Sequence, residues 1–205
     1  VNTNPMYSVR ELVHQFNDAG VKAVIVLDQF YSVLAEAAPQ TSVEHIIVPR
    51  PLDLMASSKQ KVLGGLMRIM GKRPMIKDQN IIDFKDLLAG GTSYSNHRAS
   101  VNDICALQYT GGTTGASKGV MLTQSCLMAN VAQALDVISI TSESLRYSVT
   151  ALPLPLYHIY AFSLCIGVLP ALRSHSVLIP DPRNIPLLVK VIKKLKIQNF
   201  CGLNS

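Results

Sequence analysis

Two periods of apolar residues alternate along this chain. The stretch 8-SVRELVHQFNDAG-20 places apolar residues every three or four positions. It opens with Ser8 and Glu11 at capping-box spacing and closes on Gly20, so it predicts a helix. VKAVIVL (21–27) is a continuous apolar run and predicts a buried strand. YSVLAEAA (31–38) returns to helical spacing, and EHIIVP (44–49) predicts a second buried strand. Helix, strand, helix and strand in this order imply an α/β layer with parallel strands.

The pattern lapses over residues 50–100. This stretch holds a basic segment, a turn-rich patch at 77–80, a short helical pattern near Phe84 to Leu88 and the polar loop 90-GGTSYSNHR-98. It is expected to overlie a domain rather than form its centre. Regular patterning resumes with DICALQY (103–109), a strand, and 123-TQSCLMANVAQALDVI-138, a helix with Leu127, Val131, Ala134 and Leu135 on one face. SVTALPL (148–154) and HSVLIP (175–180) predict further strands around the apolar segment 159-IYAFSLCIGVLPAL-172. An amphipathic helix follows at 186-PLLVKVIKKLK-196, with Lys190, Lys193, Lys194 and Lys196 on a solvated face, and IQNFCGL (197–203) begins another strand.

The fold class is therefore α/β, a layered α/β/α arrangement with a mainly parallel sheet, in three parts: 1–49, 50–100 and 101–205. The first helix has no strand before it and the last strand no helix behind it. The chain is accordingly expected to be a piece of a larger protein. VNTNPMYSVRE has neither a charged n-region nor an apolar h-region, so no secretory leader is expected.

Composition narrows the picture. With 48% hydrophobic and 16% charged residues, the chain belongs with folded globular proteins rather than disordered ones. No run of eighteen apolar residues occurs, which excludes a spanning helix from the expectation. Cys105, Cys126, Cys165 and Cys201 are widely spaced and lie mostly beside apolar residues. They read as buried reduced thiols rather than zinc or iron–sulfur ligands, which fits a cytoplasmic protein.

The net charge of +6 is local. Residues 57–77 carry Lys59, Lys61, Arg68, Lys72, Arg73 and Lys77 with no acidic residue, leaving thirteen basic and thirteen acidic residues elsewhere. No nucleic-acid partner is expected from so confined a charge. On a helical wheel Lys61, Arg68 and Lys72 fall within about 20° of one direction, opposite Leu63, Leu66, Met67 and Met70. Two readings stand. The favoured one is a helix packed on the domain with its basic face in water. The other is peripheral contact of residues 59–73 with the inner face of a membrane. Gly64 and Gly65 weaken the helix by up to ~1 kcal/mol each relative to Ala.

The candidate chemistry lies in 109-YTGGTTGASKGVML-122. Gly111, Gly112 and Gly115 let backbone N–H groups approach an anion, and Thr110, Thr113 and Thr114 supply hydroxyl donors. Lys118 supplies a point charge, and a helix expected directly after the loop adds its dipole. The set suits a polyphosphate. Walker A fails twice: counting from Gly112, Ser117 stands where Gly is needed, and Gly119 follows Lys118 where Ser or Thr is needed. The dinucleotide fingerprint also fails, because Gly111 and Gly112 are adjacent and Gly115 falls at the wrong spacing. A P-loop kinase or ATPase is thereby disfavoured.

The run from Thr110 to Lys118 does match, position for position, the signature of the adenylate-forming superfamily, which includes acyl-CoA synthetases, luciferases and peptide-synthetase adenylation domains. The segments 121-MLTQ-124 and 151-ALPLPLYHIYAF-162 resemble the motifs that follow in that family. NTNPMYSVRELVHQFNDAG, PLYHIYAF and DPRNIP (181–186) resemble its bacterial long-chain fatty-acid–CoA ligases.

The resemblance implies activation of a fatty acid with ATP to acyl-AMP, then transfer to coenzyme A, with Mg2+ as the metal. It implies that Tyr109, Thr110, Gly111, Gly112, Thr113, Thr114, Gly115, Ala116, Ser117, Lys118, Gly119 and Val120 bind ATP and its leaving pyrophosphate. It further implies that Tyr157, His158 and Tyr160 line the acyl and adenylate pocket. Taken alone, His158 reads as a satisfied core histidine, and Tyr157, Tyr160 and Phe162 as core packing. The family's Thr-Glu pair for magnesium, its ribose-binding Asp and its C-terminal domain with a catalytic Lys have no counterpart in these 205 residues. No complete catalytic set and no metal site is therefore expected. The chain is expected to be an incomplete part of a large N-terminal domain, inactive alone. The alternative is a non-enzymatic nucleotide- or phosphate-binding module.

Overall fold

The computed structural model describes the chain outside positions 56, 71–75, 77, 79, 92–94, 97, 111–116, 142–144 and 203–205; at 57, 61, 68, 69 and 139–141 it describes the backbone alone. Two compact units emerge. One holds Thr3–Arg98 with Tyr109–Gly119, and the other holds Ala99–Gln108 with Val120–Ser205.

The first unit begins with helix α1 (Val9–Asp18), whose ends follow from local chemistry. The Ser8 N–H donates to the Glu11 carboxylate at 2.8 Å, and the Ser8 hydroxyl accepts from the Glu11 N–H at 3.4 Å. The Ser8 hydroxyl also donates to the Glu11 carboxylate at 2.6 Å; that bond first, and the Ser8 N–H second, hold the Glu11 carboxyl below its ordinary range. At the other end Gly20 takes φ +59°, while the Gly20 and Val21 N–H groups cap the Asn17 and Phe16 carbonyls. Strands β1 (Ala23–Ile25) and β2 (His45–Val48) pair in parallel, Ala23 opposite His45. Helix α2 (Tyr31–Ala37) packs with α1, burying Leu12, Phe16, Leu34 and Ala37, with Val24, Val26 and Ile46 of the sheet side against them.

Residues 50–100 do more than overlie this unit. Helix α3 (Ser57–Ile69) is followed by strand β3 (Ile81–Asp83), which completes the sheet in the order β1-β2-β3, parallel to β2. Three residues are too few to display a period, so only backbone pairing reveals β3. Asp83 then caps helix α4 (Phe84–Gly90) by accepting from the Lys85 N–H at 3.0 Å. On α3, Gly64 is buried and Met67 half-buried, whereas Leu63 and Leu66, with Met70 just past its end, are exposed. The expected packed face is thus largely turned to solvent. The side chains of Lys61 and Arg68, and all of Lys72, Arg73 and Lys77, lie outside the described residues.

Strands β4 (Ile104–Thr110) and β5 (Lys118–Thr123) pair as a two-stranded sheet that contributes residues to both units. In the second unit helix α5 (Gln124–Thr141) starts at a Thr123 cap, the hydroxyl accepting from the Cys126 N–H at 3.2 Å. Val131 of α5 packs on Val168 and Leu172, with Ala134 and Leu135 beside them. The central strand β6 (Val149–Leu152) is flanked in parallel by β7 (His175–Leu178) and β8 (Asn199–Phe200), in the order β7-β6-β8. Helix α8 (Ile185–Leu195) closes over this sheet through Leu188 and Val191, and its lysines are exposed as expected.

Helix α6 (Ile159–Ser163) runs through a π turn at Leu164–Val168 into α7 (Leu169–Ala171), and the Leu169 N–H reaches back to the Leu164 carbonyl. Pro170 cannot donate, and the widened turn accommodates it. The four cysteines are not buried as expected: Cys105 and Cys126 are exposed, and Cys165 and Cys201 are half-buried. Cys105 sits on the open face of a two-stranded sheet, and Cys126 points away from the face of α5 that carries Val131. Among the described residues no helix is long and apolar enough to cross a membrane.

Candidate functional site

The phosphate-loop motif leaves the end of β4. Gln108 and Tyr109, on opposite faces of the strand, are both buried at its end, and Thr110 is exposed. Gly111, Gly112, Thr113, Thr114, Gly115 and Ala116 lie outside the described residues. Beyond them Ser117 is half-buried, Lys118 exposed, Gly119 half-buried and Val120 exposed. The helix expected at 123–138 is present as α5 from Gln124, but strand β5, which the sequence pattern did not show, stands between it and the loop. Pairing with β4 makes 118–123 a strand, and the helix waits for the Thr123 cap. No helix N-terminus therefore follows directly on Lys118.

Both described ends of the loop are tied to α1. The Tyr109 hydroxyl donates to the Asp18 carboxylate at 2.5 Å and approaches the Gln15 carbonyl at 3.4 Å. Burial first, and Asp18 second, push the Tyr109 phenol well above its ordinary pKa. At the far end His14 Nε2 lies 2.9 Å from the Ser117 carbonyl and donates to it. Gly119 backs onto the Tyr109 ring, where a Cβ would stand 2.9 Å from a ring carbon, so the close approach requires glycine. His14, Gln15 and Asp18 carried no motif that joined them to the loop. Their one signal is the polar pair His14 and Gln15 beside the apolar positions of the helix; Gln15 is fully buried, His14 half-buried and Asp18 exposed.

The donor set of this segment fits polyphosphate: threonine hydroxyls, glycine N–H groups and one exposed ammonium, with no carboxylate in 109–120 to repel an anion. It does not fit a magnesium ion. Among the described residues no group of three or more His, Cys, Asp or Glu side chains could hold a metal.

Tyr157, His158 and Tyr160 come together past the C-terminal end of β6, in the second unit. Gln108 holds the Tyr157 carbonyl with its amide at 2.6 Å. His158 is the N-cap of α6, its Nδ1 accepting from the Tyr160 N–H at 3.3 Å, and its own N–H donates to the Pro155 carbonyl at 3.0 Å. It is exposed, so the core-histidine reading fails. Tyr160 is 43% exposed and Leu156 of the same segment is also exposed, while Tyr157 and Phe162 are half-buried. Partial burial, then nearby Cys201, push the Tyr160 phenol upward. The cap explains the exposure, since a His that seats the first turn of α6 stands at the rim of the sheet. An apolar rim at the carboxyl end of parallel strands is a common place for ligands.

A separate cavity of about 480 Å³ opens beyond the C-terminal ends of β2 and β3, between Asp28, Arg50, Asp53, Asp83 and Lys85. Arg50 pairs there with Asp83. Burial opposes ionisation of Asp83, but the Lys85 N–H, the Arg50 guanidinium and the Asp86 N–H outweigh it and hold the carboxyl below its ordinary range.

The family model for AMP-binding enzymes matches residues 1–205. The chain is 35% identical over 209 aligned positions to a long-chain-fatty-acid–CoA ligase of Salmonella typhimurium, covering all of this chain and 37% of that protein. It is 34% identical over 209 positions to the corresponding ligase of Haemophilus influenzae, with the same coverage of each. Among solved structures it resembles a long-chain-fatty-acid-CoA ligase from Archaeoglobus fulgidus, at 25% identity and a TM-score of 0.68, over 97% of this chain and 33% of that one. The chain thus spans just over a third of the length of the curated relatives it matches.

Proposed function

We propose, from the premise that this chain belongs to the AMP-binding enzyme family, that it forms part of the large N-terminal domain of a long-chain fatty-acid–CoA ligase. In the first step a fatty-acid carboxylate oxygen bonds to the α-phosphorus of ATP, the α–β phosphoanhydride bond breaks, and pyrophosphate leaves with acyl-AMP remaining. In the second step the coenzyme A sulfur bonds to the acyl carbon, AMP departs and the thiol proton is released.

Residues 109–120 hold the β- and γ-phosphates in this scheme. They spread the charge that develops on the leaving pyrophosphate, which is electrostatic rather than covalent catalysis. Tyr157, His158 and Tyr160 line the acyl and adenylate pocket, with His158 shaping the rim rather than moving a proton. The observation that carries the reading is the run Thr110 to Lys118, anchored at Tyr109 and at Ser117. These 205 residues by themselves are inactive in this reading, because the magnesium, ribose and C-terminal lysine motifs have no counterpart among them. ATP–pyrophosphate exchange with palmitate tests both parts. The full-length protein exchanges and residues 1–205 do not; exchange by the short chain overturns the second claim, and no exchange by the full-length protein overturns the first.

One observation favours an added role for residues 59–73. Leu63 and Leu66 on α3, and Met70 just after it, are exposed instead of packed, as contact with the inner face of a membrane from the cytoplasm requires. Co-sedimentation with anionic vesicles tests it, and absence of binding rules it out.

A further inference from the structure

We propose that a single turn of α1 positions the phosphate loop by holding both of its ends, with Asp18 at the near end and His14 at the far end. The inference rests on the ligase reading for its ligand, the polyphosphate of ATP. His14 and Asp18 are four residues apart and so lie one above the other on one helix face. From this face Asp18 accepts the Tyr109 hydroxyl at 2.5 Å, and His14 donates to the Ser117 carbonyl at 2.9 Å. The two loop residues are separated from their partners by 91 and 103 positions, so neither bond is a by-product of local chain geometry.

The element that makes both bonds is itself fixed. Ser8 and Gly20 lock its ends, and Leu12, Gln15 and Phe16 are buried along it. The ring of Tyr109 is further wedged against Gly119, which ties the base of β4 to the base of β5 at the same level. Two backbone points, at 109 and 117, are therefore referred to one rigid turn. Because the peptide is planar and trans, fixing the Ser117 carbonyl also turns the Lys118 N–H to the opposite side. Lys118 is the residue whose ammonium the polyphosphate reading uses. The backbone at Lys118 is thereby held in one orientation before a ligand arrives, which raises affinity without adding a contact. His14 and Asp18 touch no reacting atom in this arrangement; they are positioning residues.

The test uses the full-length protein and four variants: His14→Leu, His14→Gln, Tyr109→Phe and Asp18→Asn. Each is assayed for pyrophosphate exchange, for ATP binding by calorimetry without fatty acid, and for Tm. Loss of one such hydrogen bond corresponds to about five- to tenfold in an equilibrium. H14L and Y109F are expected to raise KM for ATP by about that factor, to weaken ATP binding equally and to leave KM for the fatty acid unchanged. H14Q retains an N–H within reach and D18N retains an acceptor, so both stay within about twofold of the parent. The proposal is overturned if both KM values move together, if H14Q is as impaired as H14L, or if only Tm changes. A parent protein that binds ATP yet exchanges with no fatty acid sinks the ligase reading, and the ATP-binding series then still decides the role of α1.

Discussion

The Tyr109 hydroxyl donates to the Asp18 carboxylate at 2.5 Å, joining the last turn of α1 to the end of β4. Tyr109 is buried while Asp18 is exposed, so the bond satisfies a hydroxyl that is largely withdrawn from water. Asp18→Ala is expected to lower stability by about 1 kcal/mol, the net value of one such hydrogen bond. Urea denaturation measures it. A change no larger than that of an exposed surface alanine would show that water replaces the carboxylate without cost.

Alkaline pH gives a second expectation with a definite sign. Burial, with Asp78 accepting its hydroxyl, pushes the Tyr31 phenol up to about 12. Tyr109 shifts in the same direction. A tyrosine in the unfolded chain ionises near pH 10. Below that pH both states keep the proton and the full contribution of these bonds is present. Above it the unfolded state loses protons that the folded state retains, so stability falls as pH rises from about 10 towards 12. Phenolate absorbance should show Tyr31 and Tyr109 titrating late, with Tyr160 also raised, and denaturation midpoints should decline over the same window. Flat midpoints through that window would contradict the burial assigned to both rings.

Gly167 lies in the π turn against α5, and a Cβ there would meet Val131 Cγ2 at 2.4 Å. Gly167→Ala should therefore destabilise by about 1–3 kcal/mol through overpacking. Adding Val131→Ala should recover part of that loss, and a double-mutant cycle in denaturant reads the coupling. Strict additivity would mean the two helices part freely.

Lys118 is exposed and makes no described ion pair, so its removal should leave stability nearly unchanged. If its ammonium meets the leaving pyrophosphate, Lys118→Ala should lower kcat/KM for exchange in the full-length protein about a hundredfold, the usual scale for losing a charge-stabilising donor. A reduction of less than about threefold would remove it from the phosphate grip.

What the sequence determined was whatever depends on near neighbours. The helix at Val9–Asp18, its Ser8–Glu11 box and its Gly20 stop all follow from contacts within a few residues, and each appears in the fold. The parallel order of β1 and β2 and the apolar faces of α5 and α8 are of the same kind. The signature from Thr110 to Lys118 was legible because its chemistry is compressed into nine consecutive residues.

Tertiary structure decided the rest. Three-residue β3 exists as a strand only because β2 lies beside it. The segment after Lys118 became a strand because β4 was there to pair with it, and the dipole expected from a following helix was lost. His158 left the core reading when it capped α6, and the cysteines left it because their neighbours in sequence pack elsewhere. His14 and Asp18 acquired their places at the loop through partners 103 and 91 positions away. Periodicity and capping are set by backbone geometry over one or two turns, whereas burial and hydrogen-bond partnership depend on which distant segments the chain brings alongside.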